Sequence, residues 1–334
     1  MGTSGHNSRF VSSDGFGNKQ LPRALSTERT ITPHLALIAV QILFGTWPII
    51  GKIALKSISS TSLVGIRLIG AALIFALLQR RLAELRKLSK WTLGWLLITS
   101  LLGVVINQLI FVKGLTLTTV INATLLSTTI PVFTLVVSIA LGYDRASPRH
   151  AVGIGLAALG VIYLVDPFQS NFSSDNTLGN LLIVVNSFCY GAYIAVSRDL
   201  VRKYGALDLI TWIFVLGAIL TLPLTAYSWS FENWTDLTPS FWISVAYIIT
   251  VPTVGAYYLN AWALGRLPPS IVSIYIYLQP LMAFGLAPVI LGERLSSRTL
   301  VACGLIFAGV GVVTIRSRTK AVEEVSEHPD AMAH

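Results

Sequence analysis

Apolar residues gather in long blocks, and short polar stretches set the blocks apart. Ten such runs fall near 34–54, 61–79, 92–112, 118–141, 148–165, 178–198, 207–228, 239–262, 269–291 and 298–315. Each is roughly 20 residues long, the length that crosses a bilayer as helix. The connections are short, so the predicted helices form one compact bundle. Both ends read as disordered tails. Residues 1–33 are rich in Ser, Gly, Thr and Asn, with no apolar run long enough for a signal peptide, and residues 316–334 carry Glu323, Glu324, Glu327 and Asp330.

The apolar pattern is used twice. Shifting Asn107–Val165 by 149 positions lays it on Ala256–Thr314. Pro131 then falls on Pro280, Asp144 on Glu293, Arg145 on Arg294, Arg149 on Arg298, Gly155 on Gly304 and Gly160 on Gly309. Polar landmarks that keep one register through two apolar stretches indicate an internal repeat. The chain divides into a first half at 34–165, a connecting loop at 166–177 and a second half at 178–315. Five spans per half is an odd number, so the second half enters the membrane upside down relative to the first. Inverted repeats of this kind build many secondary transporters, with solute held near the midplane between the halves.

Composition agrees with a membrane protein and narrows its chemistry. Of 334 residues, 54% are apolar and 12% charged, against roughly 25% charged in ordinary soluble domains. The net charge of +9 does not call for nucleic acid, because the basic residues border apolar spans. About 18 of the 24 Lys and Arg residues fall on one side of the predicted membrane and about 5 on the other, which makes the richer side cytoplasmic. The second loop alone has Arg80, Arg81, Arg86, Lys87 and Lys90, and the sixth side adds Arg198, Arg202 and Lys203. Both termini are then cytoplasmic, and the 166–177 loop is extracytoplasmic. Two sequons, at Asn171 and Asn233, fall in loops on the outer side. Cys189 and Cys303 sit inside apolar runs and form neither a disulfide framework nor a metal cluster.

The ordered landmarks carry a resemblance. In each half an aromatic-glycine stretch leads to a basic residue: Phe44-Gly45-Thr46-Trp47-Pro48 and then Lys52, Tyr190-Gly191-Ala192-Tyr193 and then Arg198. Each half closes on a Pro, an acid and a glycine-rich helix, Pro280 with Leu291-Gly292-Glu293-Arg294 being the better match. Together with Arg67 in span two, these features resemble the EamA-type transporters of the drug/metabolite transporter superfamily, over about residues 35–316. Asp144 stands where that family more often shows Glu. The resemblance implies an all-α bundle of ten transmembrane helices in two inverted five-helix repeats. It implies an inner-membrane or plasma-membrane location and transport of small organic metabolites, commonly amino acids outward.

Several side chains are candidates for carrying transport. Ionisable groups inside a span are costly and mark function by default. Arg67 is the deepest, a candidate anchor for a substrate carboxylate, whereas Lys52 and Lys113 lie near span ends and are expected to snorkel. No Asp, Glu or His falls mid-span, which disfavours a proton relay and favours a facilitator running on the solute's own gradient. Candidate cavity groups are Trp47, Asn107, Gln108, Asn186, Tyr190, Tyr193, Tyr258, Asn260, Tyr275, Tyr277 and Gln279, joined by Asn122, Tyr257 and Trp262. Binding sites are mostly aromatic and apolar, with a few polar groups that orient the ligand. Pro48, Pro131, Pro252 and Pro280 are expected to kink their helices and free carbonyls one turn earlier. Gly153, Gly155, Gly160, Gly304, Gly309 and Gly311 are expected to let helices approach closely. Trp91, Tyr227, Trp229, Trp234 and Trp242 border loops and fit an interfacial belt.

The expected solute is uncharged or zwitterionic, an amino acid above all, since amides and aromatics outnumber charges among the candidates. Neither cofactor nor metal is called for. The expected partners are the lipid bilayer and the solute, with the chain a monomer or a homodimer. A nucleotide-sugar or sugar-phosphate exchanger of the same superfamily would need cations facing the cavity from both halves. An intramembrane enzyme would need a nucleophile with its base, yet the histidines at 6, 34, 150, 328 and 334 lie in tails or at span edges. A receptor or assembly factor without transport remains a third class.

Overall fold

The computed structural model describes residues 23–79, 88–143, 147–165, 175–309 and 311–312. The loop basics from Arg80 to Lys87, the Asp144–Arg145 pair, the Asn171 sequon and the residues beyond 312 lie outside them. All regular structure among the described residues is helical. In chain order come α1 (Arg23–Ala54), α2 (Ser60–Leu78), α3 (Lys90–Ser100), α4 (Ile106–Leu117), α5 (Val120–Ser127), α6 (Ile130–Ala140) and α7 (Pro148–Val165). The second half has α8 (Asp175–Tyr204), α9 (Ala206–Trp229), α10 (Pro239–Ile248), α11 (Ala256–Leu264), α12 (Pro269–Ile274), α13 (Gln279–Leu291) and α14 (Ser297–Gly309). Several pieces join into longer spans: among the described residues eight helical stretches are long and apolar enough to cross a membrane, and His150–Val165 and Ser297–Gly309 are shorter apolar helices.

Local chemistry sets the helix starts. Ser59, Ser89, Thr119 and Thr238 each cap a helix by accepting from the backbone N–H three residues on, which satisfies a donor that the first turn leaves open. Reversals need little chain. Gly205 alone separates α8 from α9, at φ +89°, and Gly292 ends α13 in the left-handed region at φ +69°, conformations that cost a Cβ-bearing residue.

The register of 149 recurs in the irregular segments. Spans three and eight are each interrupted by π-helix, at Leu101–Val105 and Ile249–Gly255, and the shift carries the first segment into the second. Spans four and nine are each broken before the paired prolines. Here the structure corrects the expected kinks: Pro131 and Pro280 sit in the first turn of α6 and α13, where a missing N–H is one the helix does not use. Two carbonyls before the break are taken up locally. Thr128 and Thr129 hydroxyls donate to Leu125 and Leu126 oxygens at 2.5 and 2.7 Å. Pro48 lies inside α1, and Pro252 lies inside the second π segment.

Packing repeats as well. A Cβ on Gly45 would stand 2.9 Å from Met282, and one on Gly191 would stand 3.0 Å from Phe133. Met282 is Phe133 shifted by 149, so α1 lies on α13 as α8 lies on α6. Of the glycines expected at helix contacts, Gly160 and Gly309 join α7 to α14, with a Cβ on Gly309 only 2.5 Å from the Gly153 oxygen; Gly155 and Gly304 face open space. Among the loop-border aromatics, Trp91, Tyr227, Trp234 and Trp242 are exposed, whereas the Trp229 indole donates to the Ser62 oxygen at 3.3 Å.

Contacts sort the helix ends into two groups. At one end Lys52 donates to the Thr118 oxygen at 2.5 Å and pairs with Glu293 at 3.4 Å. Glu293 also accepts from the Val120 and Ile121 amides at 2.7 and 3.0 Å, an acid at a helix N-terminus where the dipole favours it. Lys52 is therefore a clasp between the halves, not the free snorkelling cation expected. At the other end Arg198, its equivalent in the second half, lies 5.3 Å over the Tyr143 ring. Partial burial, then the bond to Asp199, push the Tyr143 hydroxyl up to about 12.

Two outcomes follow from the Lys52 end. Glu293→Ala strips two helix donors and Lys52 of their acceptor, and it is expected to destabilise by about 1–3 kcal/mol, read as thermal unfolding in detergent. An unchanged transition would show that the clasp contributes nothing. At the same end the Ser59 amide donates to Glu232 at 3.0 Å. Partial burial opposes the charge of Glu232, but bonds from Ser59 and Ser62 outweigh it and hold the carboxyl below its ordinary value. That contact stabilises above the ordinary glutamate range and is lost as pH falls through the lowered value. The gap in melting temperature between the native chain and Glu232→Gln should close on acidification.

Candidate functional site

A cavity of about 60 Å³ lies between the halves, enough for a few waters. From α1 it takes Phe44, Trp47 and Pro48, and from α2 Arg67. The first half adds Asn107, Gln108 and Phe111 from α4, and Thr124, Ser127 and Ile130 from the broken fourth span. The second half adds Asn186 and Tyr190 from α8, Tyr257 from α11 and Gln279 from the start of α13. Ile130 and Gln279 are related by the 149 shift, so each broken span presents the same position to the cavity.

Among the described residues Arg67 is the only charged group on this wall, and it is 1% exposed. Its guanidinium lies 4.0 Å over the Trp47 ring. Its Nε donates to the Thr253 hydroxyl and its Nη1 to the Gln108 oxygen, both at 2.5 Å. The Gln108 amide donates in turn to the Tyr257 hydroxyl and to Asn107 Oδ1, the latter at 3.1 Å. Tyr257 donates to the Gly103 oxygen at 3.2 Å, and Thr253 to the Ile248 oxygen at 2.6 Å. Gln108 and Tyr257 are themselves 149 positions apart, so the halves meet through equivalent residues. The same chain of bonds ties Arg67 to both π segments, since Gly103 lies in one and Thr253 in the other. A π segment leaves backbone groups imperfectly paired and is a common functional insertion.

Phe44 meets both tyrosines of the aromatic wall edge to face, and Trp47 is tilted on Phe111. The Phe44 ring stands 5.5 Å from Tyr257 and 6.3 Å from Tyr190, and Trp47 lies 6.3 Å from Phe111. Among the amides, Asn186 donates to the Asn107 oxygen at 2.9 Å, and Gln279 to Gln41 at 2.7 Å.

Seven of the twelve side chains expected to bind solute share this wall: Trp47, Arg67, Asn107, Gln108, Asn186, Tyr190 and Gln279. Five do not reach it. Tyr193 is buried beneath Tyr190 at 5.4 Å, with its ring where any Gly103 side chain would stand. Asn260 is 3.5 Å from the Tyr190 hydroxyl, behind the wall. Tyr258 and Trp262 border a separate crevice at the Tyr204 end. The Tyr275 hydroxyl meets His34 at 2.6 Å, and Tyr277 packs on Phe307 at 5.9 Å. A 3-10 segment over Tyr275–Leu278 turns those two rings away from the centre. Asn122 accepts from Thr299 at 3.3 Å. Phe44, Phe111, Thr124, Ser127 and Ile130 are additions that helical periodicity alone does not single out. The Ile130 position was reachable by shifting Gln279 back by 149.

A membrane-spanning helical bundle with one polar and aromatic cavity between related halves defines a transporter-like protein. The profile of the EamA-like transporter family matches residues 31–165 and again 177–315, and the chain belongs to that family. It is similar to an uncharacterized transporter of Archaeoglobus fulgidus, 28% identical over 85% of this chain and 97% of that protein. The uncharacterized transporter YetK of Bacillus subtilis is 23% identical over 85% and 87%. A WAT1-related protein of Arabidopsis thaliana is 24% identical over 89% and 86%. One solved structure shares the fold, with TM-score 0.63 and 19% identity over 86% of this chain and 98% of its own. The protein is an integral membrane transporter of small solutes.

Gln108→Leu leaves the Arg67 Nη1 without its acceptor and takes away the amide from which the Tyr257 hydroxyl accepts, in a buried site. The variant is expected to unfold more easily by about 1–3 kcal/mol, measured by thermal unfolding in detergent, whereas Gln108→Glu keeps an acceptor for Arg67.

Proposed function

We propose that the chain carries a small zwitterionic solute, an amino acid in class, with its carboxylate at Arg67. The observation that carries this reading is the charge balance of the cavity. A buried guanidinium is costly without a counter-charge, and Arg67 has amide, hydroxyl and aromatic neighbours but no carboxylate on the wall it shares. A solute carboxylate supplies that charge, and the Phe44, Tyr190 and Tyr257 ring faces offer an attractive surface to its ammonium group. A nucleotide-sugar would ask for cations from both halves, and among the described residues Arg67 is the one charged group on the wall.

Transport in this reading is alternating access. The halves at 34–165 and 178–315 lie inverted in an inner or plasma membrane with both termini cytoplasmic, and they rock about the central cavity. Access from the outer side requires release of the Lys52–Glu293 clasp. Among the described residues no Asp or Glu borders the cavity, so the driving force is the solute's own gradient.

Counterflow in proteoliposomes with labelled aromatic and aliphatic amino acids tests this. Exchange indifferent to a pH gradient is expected, and it should fall by at least about tenfold in Arg67→Met, the loss of one charge-assisted contact. Arg67→Met removes a costly buried charge but leaves the Gln108 oxygen without its donor, so a cooperative melting transition in detergent is the check that the variant is folded. Exchange of nucleotide-sugars with no exchange of any amino acid would overturn the reading.

A further inference from the structure

A second cavity, of about 660 Å³, lies at the Tyr204 end of the bundle, among the end of α8, the start of α9 and the end of α11. Arg202 and Arg266 reach it from different elements. Arg266 is set in place: its guanidinium stacks 3.8 Å over the Trp262 ring, and one N–H bonds the Trp262 oxygen at 2.9 Å. A guanidinium has five N–H donors, so most of this one remains open to a ligand. Arg202 has no ion pair among the described residues. The lone acid on the lining, Asp208, makes no ion pair with either arginine among the described residues; it accepts from the Gln79 amide at 2.9 Å. Two arginines against one acid leave the crevice with one positive charge in excess.

We propose that this crevice is a binding site for the phosphate of an anionic phospholipid headgroup. The position fits: spans six, seven and eight all end here, at the depth where headgroups lie. Trp262 and Tyr258 on the lining are the aromatic types that settle at that depth. The charge fits as well, because one excess positive charge matches the single negative charge of a phosphodiester. Arginines held apart on two elements can grip its two free oxygens, and planar guanidinium groups suit that geometry. Basic pockets between helix ends are a recurring form of lipid recognition. The site is separate from the Arg67 cavity and does not depend on what that cavity carries.

The test compares the full chain with Arg202→Gln/Arg266→Gln, both exposed positions whose change leaves the core intact. Each is purified in mild detergent, and phosphatidylglycerol retained per chain is measured by native mass spectrometry beside phosphatidylcholine. Melting temperature is read with each lipid and with inorganic phosphate alone. The native chain is expected to retain phosphatidylglycerol selectively and melt higher with it, and the double variant to lose both effects. Arg202→Lys/Arg266→Lys should keep part of the binding, because the charge persists while the planar fork does not. Equal retention by native chain and double variant would overturn the proposal. Stabilisation by inorganic phosphate as large as that by phosphatidylglycerol would assign the crevice to a soluble anion and overturn the lipid source.

Discussion

A guanidinium buried in a membrane bundle must be surrounded by groups that tolerate it, and Arg67 imposes that requirement on both halves. Gln108 answers from the first half and Thr253 from the second, each at 2.5 Å, while the Trp47 face covers the cation. Each of these groups has a further obligation. Gln108 reaches Tyr257, and Tyr257 reaches the Gly103 carbonyl. The charge thereby binds the π segments, the aromatic wall and the two halves into one network. In a low dielectric such a network is strong when complete and costly when one member fails. A ligand that competes for Arg67 acts on everything attached to it.

The two ends of the bundle show one design used twice with different residues. At one end Lys52, Glu293 and the start of α5 close the gap between the halves. At the other, Arg198 stacks on Tyr143, which bonds Asp199. Lys52 and Arg198 occupy matching places in the two aromatic-glycine stretches, so the same landmark serves opposite ends. A rocking motion needs contacts that break at one end while they hold at the other. In the rocking proposed above, a lysine paired with an acid and an arginine over a ring would resist opening to different degrees.

Much of the central site was legible because polar residues inside long apolar runs are conspicuous. Arg67, Asn107, Gln108, Asn186 and Gln279 stand out against the hydrocarbon-facing sequence, and all border the cavity. The tyrosines were less legible, since a Tyr can pack, belt the interface or face a cavity with the same composition around it. Tyr190 and Tyr257 face inward; Tyr275 and Tyr277 do not, because the helix around them changes its pitch, and Tyr193, in the unbroken α8, lies beneath Tyr190. The 3-10 segment at Tyr275–Leu278 and the π segments rotate side chains away from the angles an uninterrupted α-helix assigns. Small polar residues such as Thr124 and Ser127 were invisible for another reason, as a Thr or Ser in a membrane helix usually bonds its own backbone.

The sequence by itself determined the class of the protein: apolar runs of bilayer length, a repeat with one register, and a cation too deep to be incidental. Those features follow from the cost of exposing polar groups to hydrocarbon, which acts on every residue according to its type. Only the tertiary structure decided that Lys52 is a clasp, that Pro131 and Pro280 begin helices, and that Gln108 meets Tyr257. It also separated the crevice at Arg202 and Arg266 from the central cavity. These outcomes depend on which faces of distant helices meet, and partners 149 or 241 positions apart are brought together by packing that no local pattern encodes.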